Sequence, residues 1–375
     1  MSADARMSAD AGMSADARMS AGARVGTDAR VGTDARVGAD ARVGARAAPP
    51  FAIARPVVER VKGNEFVEAG PHDFRLGPPG AVPRAHWTPY ALEPDGETLW
   101  WAAAGAPLHD AAEPFLYLAQ YRAATHLATS RAIDLPGVRD LPGVHDPGGA
   151  RDLGGATAAP RRFVFSVGRC GSTLLGQIAA RAGLASLSEP DALTPLALGL
   201  PRPAHSRAIY APLIDACLEG WRPGASRAPA LVKLRAQHST PGHLALVLEA
   251  VAEPAFTFLF REPHAWARSM AGHFGLCVDR LVALYSAPVA AYAAAVRAGA
   301  DACVLHYETM RRDPAAALGA LGLPPDGAAL PEAPSQAGTR LAGPPGDSPA
   351  VRRAVDAFME RWPDIGAPVP AGTRG

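Results

Sequence analysis

The sequence predicts an α/β fold, three layers deep, in which helices cover both faces of a parallel sheet. A smaller N-terminal region and a disordered repeat tail precede it. Two observations carry the prediction. From Arg161 onward, short apolar runs alternate with helical stretches, the pattern of successive βαβ units. One of those runs, Phe256-Thr-Phe-Leu-Phe260, is almost wholly apolar and suits a strand buried on both faces. A chain of 375 residues leaves room for one to three domains and a large core.

The elements follow in chain order. Residues 1–48 are a hexapeptide array, Met-Ser-Ala-Asp-Ala-Arg from Met1 and Val-Gly-Thr-Asp-Ala-Arg from Val25 and Val31. Each repeat carries one Val or Met among charges, too little apolar surface to offset chain entropy, so residues 1–50 are expected to be disordered. Residues 51–135 read as an accessory region with many aromatics and a helix from Glu113 to Ser130. Residues 136–160 repeat Leu-Pro-Gly-Val from Leu135 and Leu141 and are rich in Gly and Pro, which marks a linker. The main domain occupies 161–375. Its strands are expected at Phe163–Val167, Leu184–Leu187, Ala230–Leu234, Phe256–Phe260 and Ala302–His306. Its helices are expected at Ser172–Ala182, Pro241–Val251, Pro263–Phe274, Asp279–Arg297 and Pro349–Arg361.

Composition narrows the function. A net charge of +1 argues against a general nucleic-acid binder. Of the 37 basic residues only Lys62 and Lys233 are lysines, which leaves 35 arginines. With abundant Ala, Gly and Pro, that skew reads as a codon bias, so an arginine needs support from its position while a retained lysine stands out. Cys170, Cys217, Cys277 and Cys303 have neither zinc spacing nor a dense disulfide framework and read as reduced. The N-terminus has no apolar signal region, and Leu281–Val296 is too short and too weakly apolar to span a membrane. A soluble, cytoplasmic protein is expected, with no membrane or nucleic-acid partner.

The most informative stretch is Phe163-Val-Phe-Ser-Val-Gly-Arg-Cys-Gly-Ser-Thr-Leu-Leu175. A buried strand enters a turn containing Gly168, Arg169, Cys170 and Gly171, and Ser172 and Thr173 open a helix. Glycines permit a tight turn whose N–H groups converge on an anion. The helix N-terminus and the two hydroxyls reinforce this phosphate cradle, and Arg169 adds charge. The loop lacks the lysine of the standard nucleoside-triphosphate loop, and the strand Phe256–Phe260 ends in Arg261 rather than a magnesium-binding aspartate. From that strand end runs Arg261-Glu-Pro-His-Ala-Trp-Ala-Arg-Ser269. In a parallel sheet Arg261 emerges on the same edge as Gly168, and Ser269 lies two helical turns on, so Arg261 and Ser269 form a second anion clamp.

These two motifs, in this order, resemble the PAPS-dependent sulfotransferase family (PAPS is 3′-phosphoadenosine 5′-phosphosulfate). Gly168-Arg169-Cys170-Gly171-Ser172-Thr173 matches its 5′-phosphosulfate loop. Arg261, Pro263 and Ser269 match its 3′-phosphate segment. The resemblance covers about residues 161–310 and is closest to bacterial sulfotransferase-like proteins. It implies a three-layer P-loop-type fold, PAPS as co-substrate, no metal, and transfer of sulfonate to a hydroxyl or amine of a small-molecule or glycan acceptor. Arg169 replaces the lysine common in the eukaryotic cytosolic branch. The C-terminal Gly-rich segment of the family is not clear here, and Ser335–Arg340 is the candidate.

Sulfuryl transfer needs a proton acceptor beside the sulfur and positive charge near the bridging oxygen. Glu189, turned by Pro190 after the second strand, is one candidate base, with Asp191 near it. His238 is the other, as it resembles the histidine that follows a Val-Lys strand in cytosolic members. Lys233, at the end of an otherwise apolar strand, is a candidate catalytic residue placed to reach the sulfonate or an acceptor carboxylate. Trp266 reads as core, and Glu308 in His306-Tyr-Glu308 as structural. Two other readings stay open: an atypical P-loop small-molecule kinase, and a nucleotide-binding relative without catalysis.

Overall fold

A computed structural model describes residues 87–93, 95–104, 108, 116, 119–120, 124–135, 160–325 and 346–366. The repeat array, Lys62, linker residues 136–159 and the Ser335–Arg340 segment lie outside the described residues. The five strands expected from residue 161 onward form one parallel sheet. They are β4 (Arg161–Ser166), β5 (Ala185–Ser188), β6 (Ala230–Lys233), β7 (Ala255–Phe260) and β8 (Asp301–His306), in the order β5-β6-β4-β7-β8. β4 is central, paired on one side with β6 and on the other with β7. The chain leaves β4 towards β5 and β6 and later crosses back to β7, so the two connections diverge at the carboxyl end of β4. That divergence opens a crevice in sheets of this kind. As the apolar run Phe256–Phe260 requires, every residue in it is buried from both faces.

Helices flank the sheet as the fold class demands. Helix α1 (Ser172–Arg181) follows β4, and α2 (Pro203–Trp221) precedes β6. Helices α3 (Pro241–Ala250), α4 (Pro263–Phe274) and α5 (Val278–Arg297) come next. After β8 the chain forms α6 (Tyr307–Arg312) and α7 (Pro314–Ala320), and α8 (Pro349–Ile365) packs on α4 and α5. Several helices begin with proline in the first turn, where its missing N–H costs nothing. Helix α2 forms in a stretch whose sequence pattern predicts no regular element. Pro203, Pro212 and Gly220 obscure its periodicity, but Ile209, Leu213, Ile214, Cys217 and Leu218 line its buried side. No helix among the described residues is long and apolar enough to cross a membrane.

The N-terminal region departs from expectation. Leu116, Ala119 and Gln120 are helical, but the helix expected to reach Ser130 gives way at Ala124 to a strand. β1 (Trp87–Leu92), β2 (Thr98–Ala104) and β3 (Ala124–Arg131) form an antiparallel meander, with Thr98 opposite Arg131 and Ala102 opposite Leu127. The free edge of β2 offers a ladder of hydrogen bonds that outweighs a weak local preference for helix. This meander shares its hydrophobic core with the parallel sheet, Leu92 and Leu99 belonging to the same cluster as Phe163 and Leu213. Contact with α2 is close. His205 Nε2 lies 2.6 Å from the Gly96 carbonyl, and Gly220 faces β1 with no room for a side chain.

A Cβ at Gly220 would stand 2.5 Å from the Trp87 carbonyl oxygen and overlap Thr88. Gly220→Ala is therefore expected to destabilise the chain by about 1–3 kcal/mol despite raising helix propensity, as overpacking does. Thermal denaturation checks this. A gain in stability would show that α2 and β1 can part at no cost.

Candidate functional site

The site gathers at the carboxyl edge of the sheet, and the turn after β4 begins it. Val167 N–H still bonds the Leu259 carbonyl at 3.4 Å, and beyond it the chain enters a left-handed turn. Gly168 (φ 75°), Arg169 (φ 47°) and Gly171 (φ 82°) all lie in the region that disfavours side chains. Gly171 is the N-cap of α1 and has no side chain to cap with, so the first-turn N–H groups find no side-chain acceptor there. A Cβ on Gly171 would come within 2.5 Å of the Tyr307 ring and 2.7 Å of Met310. Glycine is demanded here twice, by φ and by space.

The second motif closes on this turn. Arg261 donates from its guanidinium to the Arg169 carbonyl at 2.9 Å, and Arg169 Nε donates to Ser269 Oγ at 3.1 Å. The two motifs, 92 residues apart in the chain, thus share one cluster. The Arg169 side chain lies with Arg261 and Ser269. Burial and the neighbouring Arg261 hold the Arg169 guanidinium below its ordinary value, with Tyr307 opposing. Arg261 also stacks 5.0 Å over the Tyr307 ring, and its buried Nε has no hydrogen-bond partner among the described residues. Two guanidiniums so close repel, and a bound anion would relieve that repulsion.

A second cluster forms where β5, β6 and α1 meet. Lys233 ends β6 opposite both Val164 and Ser188, at 1% exposure. The ladder runs one bond further, from Glu189 N–H to the Lys233 carbonyl at 2.9 Å, and places Glu189 beside the lysine. Glu189 adopts φ 52°, left-handed and costly for a glutamate, before Pro190 turns the chain away. Its carboxylate pairs with Lys233 Nζ, and Arg235 Nε stands 3.8 Å from its other oxygen. Lys233 Nζ also lies 3.5 Å from Thr173 Oγ1, which links this cluster to the mouth of α1. Asp191 pairs in turn with Arg235. Burial lowers the Lys233 ammonium from its ordinary value against the pull of Glu189. Charges this deeply buried are retained at a desolvation cost, which marks the cluster as a candidate for chemistry.

The remaining residues fall around these clusters. Cys170 is buried, its thiol pushed up to about 11 by burial, so it is an inert wall of the loop. His238 is 2% exposed, packed 6.2 Å from His243, and its carbonyl contacts His243 Nδ1 at 2.9 Å. Burial depresses its imidazole well below the usual value, followed by His243 and Arg235. His243 contacts the Tyr210 hydroxyl at 2.6 Å, while His238 Nε2 is buried with no hydrogen-bond partner among the described residues. Glu308 accepts the Glu262 N–H at 3.2 Å at the head of α4. Two participants escaped the sequence reading. Arg235 was hidden among the other arginines, although it sits two residues after Lys233 in extended backbone and so on the same side. Tyr285, whose hydroxyl donates to the Arg261 carbonyl at 2.8 Å, carried no local signal. Among the described residues no group of three His, Cys, Asp or Glu is placed to hold a metal ion.

No protein-family profile and no curated protein sequence matches the chain. Solved structures resemble it at low similarity, among them two sulfotransferase domains. The sulfotransferase domain of the Synechococcus PCC 7002 olefin synthase shares 18% identity with a TM-score of 0.34, covering 58% of this chain and 92% of its own. The sulfotransferase domain from the curacin biosynthetic pathway shares 16% identity with a TM-score of 0.28, covering 58% of this chain and 95% of its own.

Asp191 provides a pH signature of the second cluster. Burial pushes its carboxyl up to about 7, against Arg235 and with help from Glu189. The folded chain then keeps a proton that the unfolded chain has released, so stability falls as pH rises from about 4 to about 7 and levels off above. Asp191→Asn is expected to flatten that slope. Thermal midpoints of both proteins across this range decide it, and parallel curves would count against a buried Asp191.

Proposed function

We propose that the chain is a sulfotransferase that uses PAPS as donor and transfers its sulfonate to a hydroxyl or amine of a small-molecule or glycan acceptor. The observation that carries this reading is the pair of cationic clusters joined at one turn, with a buried carboxylate in the second. The donor set consists of guanidiniums, an ammonium, hydroxyls and helix N–H groups, all suited to anionic oxygens. A donor with anionic groups at both its 3′ and 5′ ends fits two such clusters.

PAPS supplies an activated sulfonate, whose bond to the nucleotide phosphate breaks as the acceptor oxygen or nitrogen bonds sulfur. Arg261 and Ser269 hold the 3′-phosphate, with Arg169 beside them. Ser172, Thr173 and the first turn of α1 hold the phosphosulfate end. Lys233, tied to Thr173, supplies positive charge for the leaving oxygen. Glu189 accepts the acceptor proton, and Arg235 and Asp191 fix its orientation. Glu189, paired with Lys233 beside Thr173 at the mouth of α1, is favoured over His238, which is 2% exposed with its imidazole depressed by burial. Positioning by this set of residues provides most of the rate enhancement, as in phosphoryl transfer. A cytoplasmic location and the absence of membrane or nucleic-acid partners complete the proposal.

Calorimetry with 3′,5′-ADP and ADP tests the donor site. A clear preference for 3′,5′-ADP is expected, and Arg261→Ala should weaken it about 10- to 100-fold, the worth of a charged hydrogen bond. Equal affinities would overturn the PAPS assignment, as would magnesium-dependent ATP turnover in its place. With labelled PAPS and an acceptor panel, Glu189→Gln is expected to lower transfer about 10²-fold while His238→Asn changes it little. The reverse pattern would move the base to His238.

A further inference from the structure

We propose that Trp266 and Tyr285 are positioning residues that hold the main chain of both anion-binding segments from inside the fold, and so aim their N–H groups. The inference rests on reading this edge as the nucleotide site and assigns to it two residues that touch no ligand.

Trp266 is fully buried in α4. Its indole Nε1 donates to two consecutive carbonyls of the turn, Val167 at 3.0 Å and Gly168 at 2.9 Å. These carbonyls lie just past the last ladder bond of β4, where no neighbouring strand serves them, and a buried carbonyl without a donor is costly. The geometry has a second consequence. In a planar trans peptide the C=O and N–H point in opposite directions. Fixing the Val167 and Gly168 carbonyls towards Trp266 therefore turns the N–H groups of Gly168 and Arg169 away from the interior. These are the first two N–H groups of the left-handed turn.

Tyr285, in α5, does the same at the other strand end. Its hydroxyl donates to the Arg261 carbonyl at 2.8 Å, which directs the Glu262 N–H the opposite way, and Glu308 meets that N–H at 3.2 Å. The peptide that launches the Arg261 segment is thus pinned from both sides. The two donors are also braced against each other, their rings meeting edge to face at 4.9 Å. Helix α8 backs them both. Phe358 lies 5.4 Å from Trp266 and 6.1 Å from Tyr285, and Trp362 lies 4.9 Å from Tyr285. One aromatic block thereby sets the spacing between the ends of β4 and β7, across which Arg261 reaches the Arg169 carbonyl.

Trp266→Phe and Tyr285→Phe keep most of the ring packing and delete only the donors. Phe358→Leu perturbs the same block and leaves both donors in place. In the full chain without ligand, amide hydrogen exchange over residues 167–171 is expected to quicken about five- to tenfold in Trp266→Phe, the worth of a lost buried hydrogen bond, and little in Phe358→Leu. Calorimetry should show both donor variants binding 3′,5′-ADP about five- to tenfold more weakly, with Phe358→Leu within about twofold of the parent despite a lower thermal midpoint. Should Trp266→Phe fail to fold, the binding arm of Tyr285→Phe decides. Donor variants that exchange and bind like the parent would overturn the proposal, as would a loss in Phe358→Leu equal to theirs. Exchange is read without ligand, so a parent chain that binds no 3′,5′-ADP counts against the nucleotide reading while exchange over residues 167–171 still judges Trp266, and exchange at Glu262 judges Tyr285 in the same way.

Discussion

At the end of the central strand the chain must turn sharply while its neighbours on either side part company, and the turn from Gly168 to Gly171, with Gly168, Arg169 and Gly171 in the left-handed region, is how it does so. That run is a backbone constraint before it is a site. A residue other than glycine at Gly171 meets the Tyr307 ring and Met310, so the turn and the α6 helix are fitted to one another. The carbonyls leading into the turn face the interior, where Trp266 serves them. The opposite sides of the same peptides, together with the mouth of α1, face the carboxyl edge of the sheet. The rest of the site is arranged around this one turn: Arg261 leans on its carbonyl, Ser269 takes its arginine, and Thr173 meets Lys233.

The distribution of charge about the sheet follows from the same polarity. At the amino edge Arg161 is consumed by Asp215 and the Ala228 carbonyl, and Arg162 by Asp301. Those arginines are satisfied structural members. At the carboxyl edge cations stand next to cations, and Lys233, Arg235, Glu189 and Asp191 are buried together at a desolvation cost that hydrophobic residues of similar size would not incur. An arrangement that is expensive in the folded chain and concentrated at a sheet's open end is what the proposed function accounts for.

Much of this was legible along the chain. The parallel strands follow from apolar runs spaced by helical stretches. The turn follows from glycines between a strand and a Ser-Thr helix start, and the singular Lys233 lies where the codon bias made a lysine conspicuous. The segment ending at Ser130 was misread, since its local pattern allows a helix and only the open edge of β2 makes a strand the better partner. Helix α2 stayed hidden behind its prolines and glycine until its buried face met the rest of the core.

The sequence by itself determined the order of elements and the positions of the Gly168–Thr173 and Arg261–Ser269 motifs, because backbone geometry and hydrophobic periodicity are local properties written in neighbouring residues. Only the tertiary structure decided which side chains act together. Arg169 turns to Ser269, Arg235 joins Glu189, and Trp266 and Tyr285 hold the backbone of segments far away in the chain. Those partnerships depend on strand order and on how α4, α5 and α8 pack, and a linear pattern carries no distance across the fold.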